Sequence, residues 1–278
     1  MNTILEARDL CKTFSNATVQ QHVLRNLNLT IEEGDYTVIM GNSGSGKSTL
    51  LYSLSGIDRP TLGEISYRGE AITKYSNDKL AIFRRKNCGF VFQQNYLNDT
   101  MSILDNIVIC GLLVNKNKKE LVKRTEELVK KMGLNKDILK KFPTQLSGGE
   151  QQRIAMIRAI INEPAILFAD EPTGALNSTS TEQVLDVLTQ LNNEGQSIVM
   201  VTHDMGNALK YADKIKKRIY KIENKNFISS IKEEENGVDI YIGSENEFDD
   251  DVTIIKTKYN VNGVEGTIAI VGPKRMEY

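Results

Sequence analysis

The chain has 278 residues, of which 40% are hydrophobic and 26% charged, and its formal net charge is -1. This length provides for one large domain with an ample core, alone or with a small second domain, and the near-zero charge gives no reason to expect nucleic acid as the main partner. Three cysteines, Cys11, Cys88 and Cys110, are widely spaced and form no C-x-x-C pair, so neither a disulfide framework nor a zinc site is indicated. No uninterrupted apolar run reaches the roughly 18 residues of a membrane span, and we expect a cytosolic chain.

The first elements are short segments in which apolar and polar residues alternate. Ile4–Arg8 and Leu27–Ile31 show this period of two, which is typical of half-buried strands. Glu33-Gly34-Asp35 indicates a turn, and the apolar run Tyr36–Met40 predicts the next strand.

A glycine-rich loop, GNSGSGKST, follows that strand and leads into the apolar run Leu50–Leu54. Its glycines can take backbone angles closed to other residues, so successive amide N–H groups can surround a phosphate at the helix N-terminus. Lys47 would reach the β- and γ-phosphates and the Ser48 hydroxyl would bind Mg²⁺, as in the G-x-x-x-x-G-K-[ST] P-loop of nucleotide-binding proteins. The candidate nucleotide-binding residues of the loop are Gly41, Asn42, Ser43, Gly44, Ser45, Gly46, Lys47, Ser48 and Thr49.

The following segments alternate between strand and helix patterns. In chain order they are a strand and turn at Leu62–Glu70, a helix at Lys79–Lys86, a short strand at Cys88–Gln93, an amphipathic helix at Lys118–Met132, a helix at Glu150–Ile161 preceded by Ser147-Gly148-Gly149, and a helix at Thr181–Asn192. This rhythm around a P-loop predicts an α/β fold.

Acidic residues and a histidine follow two apolar strand patterns. Ala165–Ala169 is apolar throughout, which is typical of a parallel strand covered on both faces, and it ends in Asp170 and Glu171. Ligands of α/β sheets bind at the carboxyl ends of the strands, so Asp170 can hold hydrated Mg²⁺ and Glu171 can polarise the attacking water. The strand Ser197–Val201 leads to His203, which we expect at the same edge, near a γ-phosphate.

The segment Leu146–Arg153, LSGGEQQR, resembles the signature of ATP-binding-cassette (ABC) transporter ATPases, and the resemblance covers roughly residues 2–227. Ser147 and the amides of Gly148 and Gly149 open a helix whose positive end can face phosphate. In the family this site closes on the ATP held by the other subunit. The resemblance therefore implies a homodimer of ATPase subunits that forms on ATP binding, with ATP and Mg²⁺ as cofactors.

The resemblance also gives roles to isolated residues. Gln93 matches the family's Q-loop glutamine, which touches Mg²⁺ and senses the transporter, and His203 matches its switch histidine. Phe14 lies where the family keeps an aromatic residue that stacks on adenine. The implied catalytic residues are Glu171, His203, Lys47 and Gln93, and the implied Mg²⁺ ligands are Ser48, Gln93 and Asp170.

Within the family, the combination of LSGGEQQR, DEPTGAL and GFVFQ is most similar to the lipoprotein-release, macrolide-export and bacitracin-export type, whose ATPases work with permeases. The implied partners are transmembrane permease subunits, which would hold the chain on the inner face of the cell membrane. One departure is Asn177, where the family usually has aspartate. The missing charge bears on cross-dimer coupling and hydrolysis rate, and leaves nucleotide binding intact.

The predicted fold is thus a P-loop NTPase of ABC type, with a mostly parallel sheet core, an antiparallel β subdomain and a helical signature subdomain. We assign residues 1–228 to this ATPase and residues 229–278 to a small β-rich appendage that begins with an acidic linker. Two strand-like runs in the appendage, Thr253–Tyr259 and Gly266–Val271, are joined by Asn260–Gly263, which indicates a hairpin.

Parts of the appendage are similar to the carboxyl end of the heat-inducible transcription repressor HrcA. They are Val238–Asn246 and the terminal Gly272–Tyr278. Only the last fragment of that protein's sensor-like domain is matched, without a winged-helix pattern, so repression does not carry over. A passive tail and a regulatory tail both remain open.

Two functions stay open at this point: a transporter motor, and a soluble ABC ATPase with a regulatory or ligand-sensing carboxyl-terminal segment. Soluble members that act on chromosomes insert a long coiled coil between P-loop and signature, whereas the stretch from Ser48 to Ser147 has no sustained heptads. Translation-type members carry two cassettes, and this chain has one. The sequence therefore favours the transporter motor.

Overall fold

A computed structural model describes residues 2–15 and 20–203, together with the strand segments 217–223, 226–228, 252–261 and 264–273. The acidic linker and the HrcA-like stretches at residues 238–246 and 274–278 lie outside the described residues. In the parts of the chain that the structure describes, no helix combines the length and apolar character needed to cross a bilayer.

The elements alternate along the chain as the sequence predicts. The strands are β1 (Thr3–Ser15), β2 (Gln20–Glu32), β3 (Tyr36–Gly41), β4 (Leu62–Tyr67), β5 (Glu70–Ala71), β6 (Cys88–Val91), β7 (Ile166–Asp170), β8 (Ser197–Thr202), β9 (Lys217–Glu223), β10 (Asn226–Ile228), β11 (Val252–Val261) and β12 (Val264–Pro273). The helices are α1 (Lys47–Leu54), α2 (Asn77–Asn87), α3 (Ile103–Gly111), α4 (Lys118–Lys131), α5 (Gly148–Ile160) and α6 (Ser178–Asn193).

The central sheet has the order β10-β9-β3-β8-β7-β6. All neighbouring pairs from β9 to β6 run parallel, and only the β10 edge is antiparallel to its neighbour. The mostly parallel core is therefore confirmed. Because β3, β7 and β8 are parallel, their carboxyl ends lie at one edge of the sheet, and the chain leaves that edge through the P-loop, Glu171 and His203.

A second sheet, with the order β2-β1-β4-β5, is antiparallel throughout, which confirms the predicted antiparallel subdomain. Its first two strands have 13 residues each, much longer than the alternating segments of five that the sequence displays. Register shifts interrupt the β1–β2 pairing at several points, which explains why the alternation of apolar residues is lost along these strands.

Two apolar cores lie on either side of the central sheet. One fills the space between that sheet and helices α3 to α6 and includes Ile107, Val129 and Ile157. The other joins the antiparallel sheet to α1, α2 and the opposite face of the central sheet, and includes Leu51 and Phe168. The signature segment thus belongs to a helical layer, and the P-loop helix is enclosed between two sheets.

The predicted hairpin of the appendage is present, with β11 and β12 paired antiparallel from Val252↔Pro273 to Val261↔Val264. Its turn residues, Asn262 and Gly263, lie outside the described residues. Helix α3 has no counterpart in the sequence-based assignment, because its nine residues are too few to display a clear helical period.

Candidate nucleotide-binding and catalytic site

The P-loop connects the end of β3 to the start of α1. Gly44 and Gly46 have φ angles of 77° and 99°, in the left-handed region that favours glycine. At Gly46, the N-cap of α1, a Cβ would also lie 2.8 Å from Val23 Cγ1. Gly41 is the last residue of β3, so the glycine-specific conformations fall on the two later glycines of the loop. The loop presents its backbone at a helix N-terminus, where an anion is favoured.

Lys47 is a buried cation that reaches back over the loop. Its side chain is 5% exposed, and Nζ donates to the carbonyl oxygens of Gly41 at 3.0 Å and Asn42 at 2.9 Å. The same nitrogen lies 4.0 Å from Oε1 of Glu171. A buried charge is tolerated only when it is paired and hydrogen-bonded, so Lys47 is held in position at the P-loop by groups on two strand ends.

The Ser45 hydroxyl provides a test of whether the loop suits a phosphate. Ser45 is buried, and its Oγ has no hydrogen-bond partner among the residues that the structure describes. A buried hydroxyl without a partner costs about 1–3 kcal/mol. A phosphate oxygen in the loop would accept from this hydroxyl, which fits the predicted ligand.

Asp170 ends β7 and is bound at both carboxylate oxygens by hydroxyl groups of α1. The Ser48 hydroxyl donates to Oδ1 at 2.9 Å, and the Tyr52 hydroxyl donates to Oδ2 at 2.7 Å. A hydroxyl and a carboxylate are hard oxygen ligands of the kind that Mg²⁺ takes beside substrate phosphates. The residues present therefore fit Mg²⁺.

Glu171 and His203 meet beside Lys47. The backbone of Glu171 has a φ of 45°, and its N–H donates to the carbonyl of Val201 at 3.0 Å. Its Oε2 lies 3.0 Å from Nδ1 of His203, which follows β8 directly. One carboxylate thus spans the buried lysine and the histidine at the carboxyl edge of the sheet.

Gln93 lies in the loop after β6, two residues beyond the strand end. A Cβ at Gly174 would lie 2.9 Å from Nε2 of Gln93, so the glutamine packs closely against the segment that follows Glu171. Helix α5 holds the same loop, since Gln152 donates to the carbonyl of Phe92 at 2.9 Å. The Gln93 side chain is exposed.

The signature residues start α5 in a capping box. The backbone N–H and the hydroxyl of Ser147 both donate to Oε2 of Glu150 at 2.8 Å, and these bonds lower the pKa of Glu150. Ser147 and Gly148 are exposed, whereas Gly149 is buried, and a Cβ there would lie 2.6 Å from Ser180 Oγ. The open end of the helix therefore faces away from the packed side.

Two more predicted residues have defined surroundings. Phe14 is 46% exposed, and Nζ of Lys12 lies 4.9 Å from the centroid of its ring. Asn177 is the N-cap of α6, where its Oδ1 accepts from the Ser180 N–H at 2.9 Å. An aspartate could cap the helix in the same way, so the difference at this position is the charge.

The structure brings together the P-loop, Asp170, Glu171 and His203. It places Ser147 and Gly148 on an exposed helix end, with Gly149 buried behind them. The sequence patterns did not single out Tyr52, although its position four residues after Ser48 in a predicted helix places both hydroxyls on one face.

Two family models match the chain. The ABC transporter model matches residues 24–174, and the HrcA protein C terminal domain model matches residues 113–278. The HrcA match thus begins well before the carboxyl-terminal fragment to which the sequence analysis limited the similarity. The two matches overlap at residues 113–174, a stretch that contains α4, α5 and β7 and so is part of the P-loop fold.

Relatives of known sequence are ABC proteins. An uncharacterized ABC transporter ATP-binding protein of Methanocaldococcus jannaschii is 45% identical over 212 residues, 76% of this chain and 94% of that protein. The lipoprotein-releasing system ATP-binding protein LolD of Aquifex aeolicus is 43% identical over 205 residues, 73% of this chain and 89% of LolD. The macrolide export ATP-binding/permease protein MacB of Mannheimia succiniciproducens is 41% identical over 201 residues, 72% of this chain but 31% of MacB.

Solved structures agree with these relatives. The dimeric structure of MJ0796, a bacterial ABC transporter cassette, has a TM-score of 0.73 and 36% identity, over 81% of this chain and 96% of that chain. A post-hydrolysis dimer of MJ0796 bound to ADP and Pi has a TM-score of 0.74 and 33% identity, over 86% and 100%. The chain belongs to the ABC transporter family and is an ATP-binding, ATP-hydrolysing cassette.

Proposed function

We propose that this chain is the ATPase subunit that powers a separate membrane permease, in a transporter of the lipoprotein-release or macrolide-export type. The observation that carries the proposal is the convergence of Lys47, Asp170, Glu171 and His203 at one sheet edge beside the P-loop. The relatives LolD and MacB support the type of transporter. The chain would lie on the inner face of the cell membrane through its permease.

Each residue at this edge has one proposed role in hydrolysis. Lys47 and the P-loop amides bind the β- and γ-phosphates, and the Ser45 hydroxyl donates to a phosphate oxygen. Glu171 orients the attacking water and accepts its proton, since the contact with Lys47 at 4.0 Å places its carboxylate at the P-loop. His203 holds the second carboxylate oxygen of Glu171 and faces the γ-phosphate.

Mg²⁺ would be held by Ser48 and Asp170, with Gln93 as a further oxygen ligand. When bound, it would neutralise charge that develops on the phosphates. Phe14 would stack on adenine, since its ring is accessible on the surface.

The second half of each site would come from a partner copy. Ser147 and Gly148 are exposed at the start of α5, where the helix end favours an anion. We propose that these residues and Gly149 close on ATP held by the P-loop of the other subunit. The dimeric form of MJ0796 supports this assembly.

A cluster of exposed apolar side chains fits the permease. It lies at the end of α3 and just after it, and consists of Ile109, Leu112, Leu113 and Val114. Leu113 is 59% exposed, and adjacent exposed apolar residues of this size are typical of an interface. A Leu113→Asp variant should lose permease binding in solubilised membranes yet keep its ATPase activity. Unchanged co-purification of the permease would exclude this surface.

The HrcA match supports a second role, for the appendage at residues 229–278. Among the described strands, β11 and β12 form a sheet of their own. We propose that this segment is an appended regulatory or ligand-sensing module on the ATPase. The alternative function, a soluble ABC ATPase regulated by this tail, would follow if no permease binds.

The proposed function is tested by two measurements on the full chain. Purified protein should hydrolyse ATP in the presence of Mg²⁺ and form a dimer when hydrolysis is blocked by Glu171→Gln. The tagged chain should co-purify with an integral membrane permease, identified by mass spectrometry. ATPase activity without any permease partner would favour the soluble alternative.

A further inference from the structure

A single carboxylate is held by two hydroxyls that come from the same helix. Ser48 and Tyr52 lie one turn apart on α1, and each donates to a different oxygen of Asp170, at 2.9 and 2.7 Å. Residues four apart in a helix share one face, so the pair forms a two-point clamp. A carboxylate bonded at both oxygens cannot rotate without breaking one of these bonds.

The two hydroxyls differ in what else they can do. Ser48 is the P-loop serine, whose oxygen is proposed to bind Mg²⁺, so its position depends on the metal and nucleotide. The Tyr52 hydroxyl is not a proposed metal ligand, and its ring packs against the apolar core beside α1. The tyrosine O–H is a hydrogen-bond donor in its own right, so it can hold Oδ2 of Asp170 whether or not a metal is bound.

We propose that Tyr52 is a positioning residue for Mg²⁺ binding: it fixes Oδ2 of Asp170 and thereby directs Oδ1 toward Ser48 and the P-loop. Asp170 is only 7% exposed, so few water molecules can replace the tyrosine hydroxyl. The proposal rests on the proposed function, because it takes Asp170 as a Mg²⁺ ligand.

The test compares Tyr52→Phe with Tyr67→Phe. Both changes remove a partly buried tyrosine hydroxyl. Tyr67 packs against the same core but donates to Asn87, at the end of α2, at 3.0 Å. Binding of a fluorescent, non-hydrolysable ATP analogue is titrated in EDTA and again in saturating Mg²⁺. The ratio of the two Kd values measures how much the metal contributes to nucleotide binding.

In Tyr52→Phe we expect the Kd in EDTA to stay within about twofold of the wild-type value. The factor by which Mg²⁺ lowers the Kd should fall by about tenfold, which corresponds to the loss of one hydrogen bond to a charged group. Tyr67→Phe should match wild type in both conditions. A Tyr52→Phe variant that tightens fully with Mg²⁺, or that weakens equally in EDTA, would overturn the proposal.

Asp170→Asn separates this inference from the proposed function. If Asp170→Asn loses the Mg²⁺ effect while Tyr52→Phe keeps it, the metal ligand is right and the role of Tyr52 is wrong. If Asp170→Asn keeps the full effect, the metal site itself is wrong. Thermal melts without nucleotide complete the test: Tyr52→Phe should melt within a few degrees of Tyr67→Phe, and a much lower melting temperature would assign its hydroxyl a purely structural role.

Discussion

Nδ1 of His203 lies 3.0 Å from Oε2 of Glu171, while the other oxygen of this carboxylate lies 4.0 Å from Nζ of Lys47. The Glu171 side chain is partly buried, and these two neighbours fix its position at the strand end. The two contacts orient the carboxylate of Glu171 at the strand end, as is required of a group that accepts a proton from water.

Glu171→Gln should therefore slow ATP hydrolysis by at least ~10²-fold, within the usual range for loss of a general base, while ATP and Mg²⁺ binding persist. Lys47→Ala should instead weaken nucleotide binding itself. Steady-state ATPase assays and nucleotide titrations measure both. A matched control is Glu64→Gln, since Glu64 lies on β4, forms an ion pair with Lys74 at 2.8 Å and has no proposed role in the site. Wild-type turnover in Glu171→Gln would exclude Glu171 as the catalytic carboxylate.

The composite site predicts complementation between two defective chains. A Lys47→Ala chain lacks a working P-loop, and a Ser147→Arg chain carries a bulky cation on the exposed start of α5. In a mixed dimer, the altered P-loop of one chain faces the altered signature segment of the other, so both defects fall in one site. The second site then has an intact P-loop and an intact signature segment. Some ATP-dependent dimer should return in size-exclusion chromatography. If the mixture stays monomeric while wild type dimerises, the two-site arrangement is wrong or both sites must be whole.

Gly46→Ala should lower both stability and nucleotide affinity. An alanine would have to adopt a φ of 99° and would bring its Cβ to 2.8 Å from Val23 Cγ1, and the backbone alone costs about 1–2 kcal/mol. Gly34→Ala is the control, because Gly34 has a φ of 82° but open space around its Cβ position. Chemical denaturation should place Gly46→Ala below Gly34→Ala. Equal stability of the two variants would contradict the close packing at Gly46.

The capping box at α5 predicts a pH-dependent contribution to stability. The bond from the Ser147 N–H is the main cause that lowers the pKa of Glu150 from its ordinary 4.5. Because the folded-state pKa is the lower one, the stabilisation is complete above about 4.5 and is lost as the pH falls through the folded-state value. Urea unfolding of wild type and Glu150→Gln should differ by about 0.5–1 kcal/mol at pH 7, and less at about pH 3.5. If the difference in free energy of unfolding between wild type and Glu150→Gln were the same at both pH values, the proposed contribution of the Glu150 carboxylate would be contradicted.

The appendage should be dispensable for the chemistry. Between Ile231 and Asp251 the chain has nine acidic residues and one lysine. The appendage contains none of the phosphate-binding motifs of the ATPase. A chain cut after Ser230 should stay folded, bind ATP and dimerise. The competing expectation is that the hairpin covers an apolar patch of the ATPase, in which case the shortened chain would melt several degrees lower, as expected for ~1–2 kcal/mol in a protein of this size. Thermal melts of both lengths, with and without ATP, decide between them.

Features that depend on residues close together in the chain could be predicted from the sequence. The P-loop needs glycines and a lysine at fixed spacing, so Lys47 and Ser48 could be identified from the pattern. The same holds for the acidic pair that ends the buried strand β7 and for the β11–β12 hairpin, whose turn and strand patterns are local.

Contacts between groups that are distant in the chain could not be predicted in this way and were found in the folded structure. The Tyr52 hydroxyl contacts Asp170, 118 residues later in the sequence, because α1 packs beside β7 between two sheets. Helical spacing predicts which face of α1 carries Tyr52, but it does not predict which strand that face contacts. The contact between Glu171 and His203 depends likewise on β7 and β8 being neighbours in register. Such contacts follow from the order and direction of the strands, which a local pattern of residues does not contain.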